Sequence, residues 1–241
     1  MSSNNNTSDV SCSTPHSSAV ETAEAITLKA HLPFKKVQMP EDYMPYTVTV
    51  SGGQGGHCAT DIHRGRANAI KILANLLLVA IRQCDIKLYI VHLNGGTDAT
   101  AIPDKAVAKI VIPKDKAVAF ETLSCQCGDA IRMQFHETEP EVSVSCEPSV
   151  WHSTIVSEEG THLVLASLNG IPVGAVDMSQ TMKDTPLTSN NIGIVEQTAK
   201  SFEITVHTQG TDKARMENLS DQIRRIFVIS GAKVDSVKSL P

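Results

Sequence analysis

Four glycines lie directly before His57, and this segment has the residue types best suited to chemistry. Residues 51–71 read SGGQGGHCATDIHRGRANAIK. Glycines let the backbone turn or approach another group closely. A histidine held at such a corner can present a fixed hydrogen-bond donor to a developing negative charge. The alternative is that His57 only hydrogen bonds within its own loop.

The elements on both sides must position this loop. Residues 46–50 alternate and are rich in β-branched side chains, which predicts a half-buried strand. Helical spacing of apolar residues from Ala69 to Ala80 predicts a helix over residues 62–82, capped by Thr60 or Asp61. His57 is therefore expected at a strand-to-helix corner, where free backbone N–H groups can also bind an anion.

The remaining patterns divide the chain into two similar halves. Further strands are predicted at residues 26–32, 87–93, 106–112, 142–146, 174–178, 192–197, 202–208 and 233–237. Further helices are predicted at residues 115–135, 153–168 and 212–229. Each half then has the ferredoxin-like order of strands and two helices. This predicts an α+β fold with helices on antiparallel sheets, in lobes 26–150 and 151–241, after a disordered Ser-, Asn- and Thr-rich tail at 1–25.

Composition excludes several classes of partner. The 241 residues carry a net charge of −5, which gives no reason to expect nucleic acid or an anionic membrane as partner. No apolar run reaches the length of a membrane span, and the N-terminus has no apolar signal core. The six cysteines are scattered through predicted regular structure. We therefore expect reduced thiols in a cytoplasmic protein.

The segment GGHCATDIHRGRANAIKILANLL closely resembles the signature GGHSGxDIHxGRANAxKLL of the aminoacyl-histidine dipeptidases, which are dinuclear-zinc metallopeptidases. The similarity continues through residues 94–97, 101–103 and 188–193, and it spans about residues 26–240. In that family this span is the lid domain, inserted into the catalytic domain and built from two similar lobes. The metal-binding segments of the family lie outside the span. The resemblance thus implies two zinc ions in the complete enzymes and no metal or other cofactor in this chain.

The resemblance also implies roles for individual residues. His57 would reach the zinc site of the catalytic domain, bind the scissile carbonyl and stabilise the oxyanion of the tetrahedral intermediate. Asn191 agrees with the substrate-binding pattern of the family. Thr100 stands where an asparagine helps to hold the substrate, and Gln209 aligns with an arginine that pairs with the substrate carboxylate. A neutral amide cannot replace a bidentate guanidinium without losing a charge-assisted contact.

Other candidates for chemistry are weaker. Asp61 and His63 match the signature, but their spacing favours capping and a supporting hydrogen bond over metal binding. Three further candidates each lack a required partner. They are Glu158-Glu159 as paired zinc ligands, Cys125 and Cys127 as thiolate ligands of a metal, and Cys58 with His57 as a nucleophile pair. His207 alternates on a strand and is expected to be half-exposed.

Two functions from different classes remain open. The chain could be part of a dipeptidase, completed by a separate or missing catalytic segment and acting on small dipeptides. It could instead be a non-catalytic lid that pairs with a second copy or another chain through its sheet edges. The replacements at Thr100 and Gln209 favour the second function, so we expect the chain alone to be inactive.

Overall fold

The computed structural model describes residues 24–150, 153–181 and 185–239. The strands are β1 (Glu24–Pro33), β2 (Lys36–Gln38), β3 (Tyr43–Ser51), β4 (Tyr89–Gly95), β5 (Ala106–Pro113), β6 (Ser143–Pro148), β7 (Thr154–Val156), β8 (Gly174–Met178), β9 (Pro186–Gln197), β10 (Ser201–Gly210) and β11 (Lys233–Ser239). The helices are α1 (Ala69–Gln83), α2 (Ala117–Phe135), α3 (Glu158–Gly170) and α4 (Lys213–Ile229), with short 3-10 helices at Ile62–Arg64 and Lys114–Lys116.

Most strands form one antiparallel sheet in the order β11-β1-β10-β9-β4-β5-β3-β6, with β8 paired to β9. Strands β3 to β6 with α1 and α2 form a first ferredoxin-like unit. Strands β1 and β9 to β11 with α3 and α4 form a second unit of the same order. The units join where Asn94 and Gly95 of β4 pair with Glu196 and Val195 of β9. The predicted α+β class with antiparallel sheet is confirmed.

The second unit takes its first strand from the beginning of the described chain. β1 lies between β10 and β11, so that Leu28 pairs with Val206 on one side and Ser236 on the other. Residues 26–32 thus pair with strands that follow residue 200, and the predicted lobe bounds 26–150 and 151–241 stay a prediction. Of the predicted tail, residues 24 and 25 begin β1, and residues 1–23 lie outside the described residues.

Helix α1 begins later than predicted, immediately after Asn68. The Asn68 side chain accepts a hydrogen bond from the backbone N–H three residues later at 3.1 Å, so it is the cap in place of Thr60 or Asp61. The Ile62–Arg64 turn is a separate 3-10 helix that ends at Gly65, which has a φ of 67°. This left-handed residue interrupts the helix that the apolar spacing predicts.

Two further segments differ from the prediction. β7 occupies the start of the predicted helix 153–168 and forms a two-stranded ribbon with β2, so α3 begins only after its cap Ser157. β9 begins at Pro186 and not at residue 192, because the polar run 188–191 is also strand. Those four polar residues are buried, which apolar alternation does not predict.

The core lies between the sheet and one layer of helices. α1 packs beside α2 and α3, and α3 packs beside α4. The sheet residues that face this layer are fully buried, among them Leu28, Val48, Ala108 and Ile204. Burying each Leu, Ile or Val side chain stabilises the fold by about 1.5–3 kcal/mol. Within the described ranges no helix is long and apolar enough to cross a membrane.

Lys71 joins the helical layers of the two units. From α1, its ammonium group donates to the carbonyl oxygens of Leu168 at 3.0 Å, Asn169 at 2.5 Å and Ile171 at 2.7 Å, where α3 ends. The last carbonyls of a helix lack partners within it, and a cation there also meets the negative end of the helix dipole. Burial lowers the pKa of Lys71. The three bonds therefore place a partly buried cation between the units.

We expect Lys71→Met to lower the free energy of unfolding by about 2 kcal/mol, because three carbonyl oxygens lose a charged donor. Urea denaturation followed by circular dichroism measures this loss. Arg82→Met removes an exposed cation from the same helix and is the control, with an expected cost below about 0.5 kcal/mol. Equal losses in the two variants would show that the ammonium group does not join the units.

Candidate functional site

His57 lies where two loops meet, one after β3 and one after β4. His57 and Ala101 form an isolated antiparallel bridge. Beside it, the N–H of Cys58 donates to the carbonyl of Thr100 at 2.7 Å, and the N–H of Ile102 donates to the carbonyl of Gly56 at 2.8 Å. The backbone is thus held on both sides of His57 by the neighbouring loop.

The imidazole of His57 is exposed, and its tautomer is set by a local bond. The N–H of Ala59 donates to Nδ1 of His57 at 3.1 Å. Because Nδ1 accepts, the proton of the neutral ring lies on Nε2. The exposed ring can therefore offer Nε2–H as a hydrogen-bond donor.

Asp61 lies behind His57 and fixes its backbone. Its carboxylate accepts hydrogen bonds from the N–H of His57 at 3.0 Å and the hydroxyl of Thr60 at 2.9 Å, and it pairs with Arg64 at 3.1 Å. The bond from the His57 backbone is the main reason that the pKa of Asp61 is lowered. Only glycine fits at position 56, where φ is 125° and a Cβ would lie 2.9 Å from the Cβ of Asp61.

Asp98 holds the loop after β4. The sequence did not predict this residue as part of the site. One of its oxygens accepts from both the N–H and the hydroxyl of Thr100, at 2.7 and 2.6 Å. These bonds lower the pKa of Asp98, and the nearby His57 contributes to the shift. The hydroxyl of Thr100 is therefore bonded within its own loop, and its predicted contact with a substrate stays a prediction. The Asp-x-Thr spacing is a signal for such a turn.

Asn191 is only 1 % exposed, and its side chain bonds to protein groups. Its Nδ2 donates to the carbonyls of Ala99 at 3.2 Å and Ala101 at 2.7 Å, and its Oδ1 accepts from Asn68 at 3.1 Å. The burial and the bonds favour a role in holding the second loop over the predicted direct contact with a substrate.

The side chain of Gln209 extends from β10 to the loop after β3. Its Nε2 donates to the carbonyl of Cys58 at 2.7 Å, and the Cys58 thiol lies 3.8 Å from its Oε1. Burial raises the pKa of the Cys58 thiol to about 12. The thiolate form of Cys58 is therefore scarce at neutral pH, which disfavours the nucleophile pair of Cys58 with His57.

His207 is 7 % exposed, not half-exposed as predicted. It is flanked by Thr27 on β1 and Asn191 on β9, and its Nδ1 lies 2.9 Å from the hydroxyl of Thr27. Burial lowers the pKa of His207, and the nearby His57 lowers it further. The buried position therefore favours the neutral form of the His207 ring.

Glu139 anchors the glycine loop from the opposite side, and no sequence signal indicated it. This carboxylate is 0 % exposed. It accepts from the N–H of Gln54 at 2.5 Å and of Ala67 at 3.2 Å, and it lies 3.8 Å from the guanidinium of Arg66. One buried carboxylate thus connects the loop before His57 to the residues just before α1.

The other candidates do not form a metal site. His63 lines a cavity of about 750 Å³ beside α1 and α2, Glu158 pairs with Lys87 at 2.9 Å, and Cys125 and Cys127 lie on α2. Across residues 24–150, 153–181 and 185–239, no group of three His, Cys, Asp or Glu side chains could hold a metal ion. The described residues therefore do not fit the two zinc ions that the resemblance implies for the complete enzymes.

Comparisons with known proteins agree with the resemblance. Residues 48–138 match the peptidase dimerisation domain family. The chain is 24 % identical over 219 residues to the cytosol non-specific dipeptidase of Escherichia coli (strain K12), covering 91 % of this chain and 45 % of that protein. Its fold matches the crystal structure of aminoacylhistidine dipeptidase from Vibrio alginolyticus with a TM-score of 0.84 and 20 % identity, covering 89 % of this chain and 44 % of that one.

The chain spans less than half the length of both relatives. The matched part of this chain includes a peptidase dimerisation domain and shares its fold with part of a dipeptidase. The resemblance is thereby confirmed, and the chain is related to the lid and dimerisation region of the aminoacyl-histidine dipeptidases.

Proposed function

We propose that the chain is a substrate-covering lid that supplies His57 to a metal site carried by a separate or missing catalytic segment, and that alone it does not hydrolyse dipeptides. The observation that carries this proposal is the held, exposed imidazole. Its Nδ1 accepts from Ala59, so Nε2–H is the free donor.

The arrangement of His57 suits the stabilisation of an oxyanion. A donor that is already oriented stabilises developing charge with little reorganisation. The bond from the His57 backbone to Asp61 and the bridge to Ala101 restrict the loop before any ligand arrives. The scissile group in this proposal is the carbonyl of a small dipeptide, as the names of both relatives indicate for those proteins.

The test combines this chain with the metal-binding segment of a dipeptidase relative and measures β-alanyl-histidine hydrolysis with zinc. We expect the mixture to hydrolyse the dipeptide and His57→Ala to lower that rate at least about 100-fold, the loss that follows removal of one oxyanion donor. His136→Ala, which removes an exposed histidine near the end of α2, is the control and should leave the rate unchanged. A mixture with His57→Ala that is as active as the mixture with His136→Ala would overturn the role of His57.

The chain alone gives a second test of the same proposal. Calorimetric titration with zinc is expected to show no stoichiometric binding, and the sample is expected to show no turnover. Two tightly bound zinc ions together with turnover would mean that the chain carries its own metal site, and the lid proposal would be wrong.

A second candidate function is self-association without catalysis. The match of residues 48–138 to a peptidase dimerisation domain favours it, and β6 and β11 are the terminal strands of the sheet order, where another strand can pair. Sedimentation of the chain over a range of concentrations distinguishes the two functions. A stable dimer that the metal-binding segment does not activate would favour self-association. In either function we propose a cytoplasmic location, the compartment that the name of the curated relative gives for that protein.

A further inference from the structure

The two loops around His57 belong to the first unit, but side chains of the second unit hold both of them. The loop after β4 is held through Asn191 of β9, which donates to the carbonyls of Ala99 and Ala101. The loop after β3 is held through Gln209 of β10, which donates to the carbonyl of Cys58. His57 lies between these anchored positions, next to Cys58 and opposite Ala101.

The hydrogen bonds of this arrangement are 2.7 to 3.2 Å long and partly buried. Cys58 is 1 % exposed, so its carbonyl and thiol lie beneath the loop. Asn191 is itself held by Asn68, which also donates to the carbonyl of Ile192 at 3.0 Å. Hydrogen bonds thus connect Asn68, the cap residue of α1, to the polar part of β9 and to the loop after β4. Bonds of this kind raise the free energy of local opening.

We propose that Asn191 and Gln209 form an inter-unit clamp that positions His57, so that the second unit sets the placement of a side chain carried by the first. Gln209 is in this view a positioning residue and not a contact to substrate. The clamp itself depends only on the bonds described above. Its consequence for catalysis rests on the proposed role of His57.

Gln209 is the better residue to test, because it is half-buried whereas Asn191 is 1 % exposed. Gln209→Met keeps the length of the side chain and removes the donor to Cys58. Gln197→Met is the matched control, since Gln197 of β9 also spans the units by accepting from the N–H of Leu93 at 3.0 Å and donating to the carbonyl of Val91 at 2.9 Å. Both variants lose inter-unit amide bonds, but only Gln209 bonds to the His57 loop.

The first measurement is the rate at which Cys58 of the full chain is alkylated by iodoacetamide, followed for each cysteine by mass spectrometry. We expect the Cys58 rate to rise about tenfold in Gln209→Met, since loss of one buried hydrogen bond shifts the opening equilibrium by that factor. The rate in Gln197→Met should match that of the unchanged protein, and the other cysteines should not respond in either variant. Equal Cys58 rates in all three proteins would overturn the clamp.

The second measurement is the NMR signal of the His57 ring, which a general loss of stability would not shift. The ring resonances of His57 are expected to move or broaden in Gln209→Met and to stay in place in Gln197→Met. Gln209→Glu, which keeps the shape but cannot donate, should resemble Gln209→Met. Neither measurement uses turnover. An inactive mixture with a protected Cys58 would refute the proposed function alone, and an active mixture with unchanged Cys58 rates in Gln209→Met would refute the clamp alone.

Discussion

Gly96→Ala is expected to lower the free energy of unfolding by about 4 kcal/mol, because position 96 is where the two units meet backbone to backbone. A Cβ at this position would collide with the carbonyl oxygen of Gly193 and would approach Pro103 to 3.2 Å. Neither the backbone of Gly193 nor the proline ring can move aside easily, so overpacking should cost about 3 kcal/mol. The φ of 68° adds about 1 kcal/mol for a residue other than glycine.

Gly65→Ala is the matched control for this substitution. Gly65 has a φ of 67° and no atom within 4 Å of an added Cβ. It therefore carries the backbone cost alone, about 1 kcal/mol. Urea denaturation of both variants gives the difference, which is the cost of the collision. If the two substitutions lower the free energy of unfolding equally, the close contact between Gly96 and Gly193 does not restrict which residues position 96 accepts.

The candidate site around His57 depends on the contact between Gly96 and Gly193 as well as on the residues next to His57. The loop after β4 begins at Gly96 and runs to Ala101, which is the bridge partner of His57. A displacement at Gly96 should therefore move the carbonyls that Asn191 holds. The same substitution is expected to raise the alkylation rate of Cys58, because the bridge and the clamp share this loop.

The spacing of apolar residues predicted those strands in which buried residues alternate with exposed ones, and those helices in which buried residues lie on one face. β5, β10, α2 and α4 lie close to their predicted residues, because each has one apolar face against the core. The sequence places His57 at a strand-to-helix corner; in the structure it follows β3 and precedes the short 3-10 helix Ile62–Arg64, and α1 begins only at Ala69. These features depend on residues that are neighbours in the chain.

Features that depend on distant residues could not be predicted from pattern. β1 pairs with β10 and β11 across most of the chain, and nothing in its own sequence selects those partners. The polar run 188–191 is strand because its side chains find buried partners, such as the bond from Asn190 to the carbonyl of Pro172 at 2.6 Å. The anchoring roles of Asn191, Gln209 and Glu139 are invisible for the same reason.

Glu139 shows how much one distant residue contributes to the candidate site. Its buried carboxylate satisfies the N–H groups of Gln54 and Ala67, which have no strand or helix partner at those positions. Its negative charge also lies beside Arg66, whose guanidinium donates to Gln54 and to the carbonyl of Thr138. Removing the carboxylate would leave the partly buried donor of Gln54, the buried donor of Ala67 and a partly buried cation without their acceptor.

We expect Glu139→Ala to lower the free energy of unfolding by about 3–5 kcal/mol, the range seen when one partner of a buried ion pair is removed. Glu139→Gln keeps an acceptor oxygen and should lose less, about 2 kcal/mol. Glu137→Ala is the control, because that side chain is 84 % exposed and its loss should cost under about 0.5 kcal/mol.

Hydrogen exchange separates loss of the anchor from loss of the whole fold. In Glu139→Gln the amides of Gln54 and Ala67 should exchange faster, while amides in the core strands β5 and β10 should change only as much as the global stability does. His57 follows Gln54 in the same loop, so a loosened anchor should also lower the activity of the mixture with a metal-binding segment. Unchanged protection at Gln54 together with a small loss of stability would mean that the carboxylate does not hold the loop, and the rigidity of His57 would then rest on Asp61, the bridge to Ala101 and the clamp.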